Sequence, residues 1–212
     1  MKDIKIRITF TTPVLGSAPS DPDIYSQYIA SNAPDAPNKQ EEIEALGTEE
    51  VERKGKTVFL RDEDGNPLLW DYQIRGFFKH ACGILKLLGE KNASASIKAH
   101  KKYIDGMVFV YGPDKDGNLN ADAALRKIPI SYDGEMDNLQ RSLRAETAQG
   151  PRISLANSEM IHEGATAEFV IRLLNDKLEK AVYEWLDFGK YNGLGQWRNG
   201  SYGRFTYEII ED

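Results

Sequence analysis

At 212 residues the chain is long enough to bury one good core and to carry an inserted segment. Its formal charge of −6 has the wrong sign for a simple nucleic-acid binder, but the excess is local: Glu41, Glu42, Glu44, Glu49, Glu50 and Glu52 share a stretch without a basic residue. A single cysteine, Cys82, excludes an intrachain disulfide and a cysteine-based zinc site, and no apolar run approaches the roughly 18 residues that span a bilayer.

Ile4, Ile6, Ile8 and Phe10 alternate with Lys5, Arg7 and Thr9, which predicts a half-buried strand ended by Pro13 and Gly16. An alternating start of this kind lacks the apolar core of a signal peptide, so a cytoplasmic protein is expected. From about residue 17 to 56 the composition turns to Pro, Asp, Asn and Glu. This acidic arm, with a short helix near Gln40–Leu46, reads as a solvated excursion or as an interaction arm or lid. Val58-Phe59-Leu60 then leads into a turn at Asp62-Glu63-Asp64-Gly65-Asn66-Pro67. Apolar residues at Trp70, Ile74, Phe77, Phe78, Ala81, Ile84, Leu85 and Leu88 predict a helix packed on a sheet and stopped near Gly89, with Cys82 a buried, inert thiol within it.

Met107–Val110 reads as a buried strand and Gly112–Asn120 as a polar hairpin loop. Arg126–Tyr132 and Ile153–Leu155 are expected as short strands flanking a mid-chain excursion over about 133–152. Ala167–Leu174 is a further strand, and Asp176 with Glu179 predicts a capping box for a helix whose buried face holds Leu178, Ala181, Val182, Trp185 and Leu186. Phe205, Tyr207 and Ile209 alternate in a closing strand, and no repeat of fixed period is read. The order predicts an α+β, ferredoxin-like (RRM-like) sheet in a single domain over 1–212, with the arm and the excursion inserted.

The segment Gly193–Phe205 concentrates the candidate binding residues. Gly193, Gly195, Gly200 and Gly203 allow close backbone approach, and Arg198 and Arg204 set guanidinium groups beside them, which predicts a loop facing phosphates. The alternative is a tight helix-to-strand connection. Trp197 and Tyr202 can stack on bases or belong to the core. Arg75, one turn into the first helix, can meet a phosphate or one of the protein's own carboxylates, and Lys79 lies one turn further along the same face. Lys98, His100, Lys101 and Lys102 form a basic cluster, read as a solvated face or part of a backbone-binding groove. The turn-rich stretch Arg141–Arg152 supplies Arg144, Gln149 and Arg152, on an ordinary exposed loop or a nucleic-acid grip. His80, His100 and His162 are too scattered to predict a metal site. No P-loop, Rossmann fingerprint or Ser-His-Asp pattern appears, and no cofactor is expected.

Three stretches carry a family likeness. Thr12-Pro13-Val14-Leu15-Gly16, the run from Val58-Phe59-Leu60-Arg61-Asp62 to Tyr72-Gln73-Ile74-Arg75-Gly76-Phe77-Phe78, and Gly193–Arg204 together resemble the RAMP superfamily of CRISPR effector complexes, especially the subunit that coats the guide RNA. In that family the first stretch is the exit of the first strand, the second introduces the first helix, and the third is a C-terminal glycine-rich loop. Bulky residues, Leu69-Trp70-Asp71-Tyr72, replace the small residues usual at the helix entry. Members that cut target RNA place an aspartate just before this segment, where rough positional matching finds Lys56. The resemblance therefore implies single-stranded RNA binding without cleavage, repetition along a strand or assembly with related subunits, and a mid-chain thumb bearing Arg144, Gln149 and Arg152. Two alternatives stay open: a phage-encoded RAMP-like mimic that obstructs a CRISPR complex through its acidic arm, and a metal-independent endoribonuclease using His100 as general acid or base.

Overall fold

The computed structural model describes residues 1–20, 56–122, 125–147 and 150–211, so the Glu41–Glu52 run and the helix expected near Gln40–Leu46 lie outside the described residues. The chain divides into two compact units, one built from Met1–Val14, Arg61–Gly134 and Ile161–Asp212, the other from Leu15–Leu60 and Glu135–Met160.

In the first unit, β1 (Lys2–Phe10) is the strand its alternation predicts: Ile4, Ile6, Ile8 and Phe10 are buried, while Arg7 lies on the opposite face between Glu168 and Glu208. Both edges of β1 are paired antiparallel, to β11 (Thr166–Leu173) and to β12 (Phe205–Ile209). β11 also pairs with β7 (Val108–Tyr111) and, at its start, with β8 (Lys127–Ser131), which continues to β6 (Pro67–Trp70) and β5 (Leu60–Arg61).

Helix α1 (Asp71–Leu85) starts where the Trp70 N–H donates to the Gln73 side chain at 2.8 Å, which satisfies an otherwise orphaned donor. Its apolar stripe of Ile74, Phe77, Phe78, Ala81 and Cys82 is buried, and burial raises the Cys82 thiol pKa. The helix ends four residues before Gly89, which takes a left-handed φ of 73° inside a following 3₁₀ segment, Lys86–Lys91. Helix α2 (His100–Met107) runs through residues expected only as a polar approach to a strand. Its one buried residue is Ile104, too little apolar periodicity to read among lysines. Helix α3 (Glu179–Phe188) buries Ala181, Val182, Trp185 and Leu186. The cap differs from the expected Asp176/Glu179 box. Asn175 accepts from the Lys177 N–H at 3.1 Å and opens a 3₁₀ turn, Asp176–Leu178, and α3 begins only at Glu179. The order β1-α1-β7-β11-α3-β12 thus gives strands arranged β12-β1-β11-β7, all antiparallel, in an α+β architecture.

The second unit holds β2 (Val14–Leu15), β3 (Ala18–Pro19), β4 (Lys56–Val58), β9 (Asp137–Thr147) and β10 (Gly150–Ile161). Its sheet order is β2-β10-β4-β3, with β9 pairing β10. The expected excursion is therefore a long antiparallel ribbon, in register from Met160↔Asp137 to Gly150↔Thr147. The many polar residues and Gly150-Pro151 made most of this stretch read as a turn-rich excursion, with only Ile153–Leu155 expected as a strand. Gly16 is required here by space: a Cβ would fall 2.3 Å from the Val58 carbonyl carbon.

Candidate nucleic-acid interface

The glycine-rich loop is anchored by backbone bonds rather than left open. Leu194 N–H donates to Gly203 O at 2.9 Å, Gly203 N–H to Pro13 O at 2.8 Å, and Thr11 N–H to Arg204 O at 2.8 Å. The Thr12 hydroxyl accepts from the Arg204 N–H at 2.9 Å. The strand exit at Thr12-Pro13 and the glycine loop, read separately in the sequence, are thus one structure. Gly193 and Gly203 exist for this closeness: a Cβ on Gly193 would lie 1.9 Å from Gly203 O, and one on Gly203 would lie 1.8 Å from Leu194 O. Gly203 also needs its φ of 69°. The rings of Trp197 and Tyr202 stack on each other, 5.6 Å between centroids and 7° between planes, and a Cβ on Gly200 would meet Trp197 at 3.3 Å. Gly195, at φ 81°, turns the chain before Trp197, itself left-handed at φ 57°. The tight connection and the aromatic pair explain these glycines without a ligand.

The two arginines sit at the loop's margins. Arg204 donates to Ser201 Oγ at 2.9 Å, and its buried Nε has no hydrogen-bond partner among the described residues. Arg198 lies near enough to His80 on α1 to help lower that imidazole's pKa, after the larger effect of burial.

A second group forms around α1 and α2. Arg75 donates to Asp71 at 3.1 Å and approaches Asp105 at 3.9 Å, and Lys79 pairs with Asp105 at 2.5 Å. The carboxylate alternative for Arg75 is the one realised in the fold. Asp105 stands one helical turn beyond Lys101 on α2, so Lys101 projects to the same side, and Lys101 and Lys102 are both exposed. Arg75 and Lys79 on α1 are thus joined to α2 through Asp105, and Lys101 lies one helical turn from that carboxylate. Arg126, which sequence reasoning passed over, joins them through the Asp71 carboxylate at 3.1 Å. Its backbone carbonyl also accepts from the Asp71 N–H at 3.0 Å, fixing the start of α1 to β8. Three cations, Arg75, Lys79 and Arg126, here pair with two carboxylates, Asp71 and Asp105.

Beside Asp71 are aromatic groups that the sequence presented as bulky departures, with Trp70 also expected on the apolar stripe of the first helix; it instead ends β6 and caps α1. Trp70 and Tyr72 are stacked at 6.4 Å with 16° between planes, and the Arg126 guanidinium lies 5.9 Å from the Trp70 ring centroid. Their alternation across the strand-to-helix junction, Trp-Asp-Tyr, was the available signal.

His100 opens α2, and its Nε2 would lie 3.3 Å from a Cβ added to Gly83. Burial first, then Lys86 and Lys101, lower its pKa, so the ring is neutral near pH 7. Among the described residues no carboxylate is bonded to it to set its tautomer. Among the described residues no group of His, Cys, Asp or Glu has metal-binding geometry. Arg144 and Arg152 fall on adjoining strands of the ribbon, Arg144 opposite Ile153 and Arg152 opposite Ala145. Gln149 lies outside the described residues, as do the side chains of Arg144 and Arg152.

No family model and no curated protein matches this chain. It is similar to one chain in the cryo-EM structure of the Type III-B Cmr-beta bound to cognate target RNA, with 12% identity and a TM-score of 0.48. That likeness covers 99% of this chain and 58% of the other, so this chain spans less than two thirds of its neighbour's length. At that level of superposition the likeness carries no argument about activity or partners. Among the described residues no helix is long and apolar enough to cross a membrane.

Proposed function

We propose that the chain is a ferredoxin-like, RAMP-like subunit that binds single-stranded RNA without cutting it and works beside copies of itself or related subunits. The observation that carries the binding assignment is the convergence of Arg75, Lys79 and Arg126 on Asp71 and Asp105, with the exposed Lys101 one helical turn from Asp105, on an otherwise acidic protein. The strand order β12-β1-β11-β7, generated by a βαββαβ path, supports the ferredoxin-like reading. The joining of the Thr12-Pro13 exit to the glycine-rich loop supports the RAMP-like reading, because two of the three stretches that carry the resemblance are in contact. Phosphate contacts through lysine and arginine hold a strand largely without regard to sequence. The mid-chain ribbon, carrying Arg144 and Arg152, is the assigned thumb.

A second reading is favoured by the pairing of cations with the protein's own carboxylates. Arg7 is held by Glu168 and Glu208, Arg172 by Asp3 and Asp122, and Arg75 and Lys79 by Asp71 and Asp105. An acidic chain with its cations engaged in this way suits binding to effector subunits, as a mimic or inhibitor would do.

Purification from the expression host, with absorbance at 260 and 280 nm and light scattering, separates the two. A heavy, nuclease-sensitive assembly with a high absorbance ratio supports RNA coating. A nucleic-acid-free small species that captures effector subunits after nuclease treatment supports the second reading.

A further inference from the structure

A cleft of about 420 Å³ opens between α2, the 3₁₀ turn Ala93–Ser96 and the start of α3, wholly within the first unit. Ile97, Leu178 and Ala181 form its apolar floor. Lys98 and Lys177 also line it; both are exposed, and among the described residues neither ammonium is paired. Lys2, Lys79, Lys127 and Lys190, by contrast, are each bonded to a carboxylate. Among the described residues no carboxylate lines the cleft. Those close to it in sequence are engaged: Glu184 accepts from the Ala93 N–H through both oxygens, at 3.0 and 2.9 Å, Asp176 holds the N-terminal ammonium at 3.0 Å, and Glu179 holds Lys2 at 2.6 Å. The polar edge is preorganised. Asn175 accepts from the Lys177 N–H at 3.1 Å and donates to the Tyr103 hydroxyl at 2.8 Å, so the phenol oxygen is the acceptor and its own proton remains to donate. Lys86 donates to the Ile97 carbonyl at 2.7 Å and so fixes the residue before Lys98.

We propose that this cleft binds a phosphate monoester with a compact, apolar-faced body, the chemistry of a nucleoside monophosphate, its phosphate on Lys98, Lys177 and the Tyr103 hydroxyl and its body on Ile97, Leu178 and Ala181. A monoester dianion matches two unpaired ammonium groups in charge, and its remaining oxygens accept from the phenol. An apolar floor with a few converging polar groups, in a volume within the roughly 300–1,000 Å³ of small-ligand sites, is the setting such a molecule needs. Such a site stands whether or not the chain coats RNA. A free nucleotide and the terminal phosphate of a strand share this chemistry.

Isothermal titration calorimetry of the full chain with AMP, and with adenosine, which keeps the body and lacks the phosphate, tests the site. AMP is expected to bind about 5- to 100-fold more tightly, the range that two exposed ion pairs and one hydrogen bond supply together. The double change Lys98→Ala and Lys177→Ala, at two exposed positions, should bring AMP toward the affinity of adenosine and leave adenosine unmoved. Tyr103→Phe should weaken AMP by about 2- to 10-fold, again without moving adenosine, whereas a merely structural loss weakens both. Equal affinities for AMP and adenosine, no AMP binding at about 1 mM, or an unchanged AMP affinity in the double variant overturns the site. Competition with AMP by a 5′-phosphorylated oligouridine but not by its 5′-hydroxyl counterpart supports the site with the end of a strand as its ligand. No competition by either supports it with a free nucleotide. Equal competition by both makes the cleft part of a strand groove and overturns the monoester assignment.

Discussion

Three glycine-to-alanine changes, two in the glycine-rich loop and one outside it, separate backbone strain from steric crowding. Gly117 has φ 81° with open space around it, Gly193 is crowded with no left-handed φ, and Gly203 has both a φ of 69° and a crowded Cβ position. Gly117→Ala should therefore cost only the left-handed penalty, about 1–2 kcal/mol. Gly193→Ala drives a methyl to 1.9 Å from Gly203 O and must lengthen the Leu194–Gly203 hydrogen bond, with neighbouring backbone moving as well, a loss of about 1–3 kcal/mol. Gly203→Ala adds strain to displacement and also disturbs its bond to Pro13, for about 2–5 kcal/mol. Urea unfolding followed by tryptophan fluorescence is suited to this, since Trp70, Trp185 and Trp197 all belong to the first unit and Trp185 is fully buried there. Equal losses for Gly117→Ala and Gly203→Ala would refute the argument that loop closeness, rather than φ alone, demands glycine.

Four further outcomes follow from the same structure. Ser94→Ala leaves the buried Trp185 indole N–H without its 2.8 Å acceptor and should destabilise the first unit by about 1–3 kcal/mol in the same urea assay. Arg198→Ala should raise the His80 pKa part of the way toward its ordinary value, seen by NMR titration, with burial holding the remainder; no movement would mean that the loop and α1 are not close in solution. Tyr183, pushed up to about 12 by burial and then by its bond to Glu179, stays protonated longer in the folded state than in the unfolded one. Its contribution to stability should be whole below about pH 10 and fall as pH rises toward 12, coincident with the phenolate absorbance change. If α2 touches RNA, the double change Lys101→Ala and Lys102→Ala should flatten the plot of log affinity against log salt by about 0.7 for each phosphate that α2 no longer neutralises; an unchanged slope removes α2 from the interface.

Much of the first unit was legible because its elements carry one-sided burial. The alternation of β1 and the stripes of α1 and α3 follow from a single core face, and the closing strand at Phe205 from its short alternation. The ribbon of β9 and β10 was legible only at Ile153–Leu155, since the many polar residues and Gly150-Pro151 made the rest read as turns. Helix α2 was obscured by its lysines, and the cap of α3 was misplaced because a 3₁₀ turn intervenes between Asn175 and the helix proper. The cationic surface was legible as residue types but not as a site, since Asp71 and Asp105 assemble it across separate elements. One readable signal was overlooked. Asp62-Glu63-Asp64-Gly65-Asn66 and Asp114-Lys115-Asp116-Gly117-Asn118 share a pattern and fold into the same turn. In each, the first aspartate accepts from the N–H groups two and four residues on, at 3.0 and 2.8 Å.

The position of β1 in its sheet also governs the order in which the protein can be made. Its two partners are synthesised long after it: Ile6 waits for Phe169 on one edge and for Ile209 on the other. Until then a growing chain carries an apolar strand with both edges unsatisfied, a template for pairing with other chains. Lys5 and Arg7, spaced between the isoleucines, put charge on that strand throughout this interval. The arginine that later bridges Glu168 and Glu208 is thus in place on the strand before either glutamate has been synthesised.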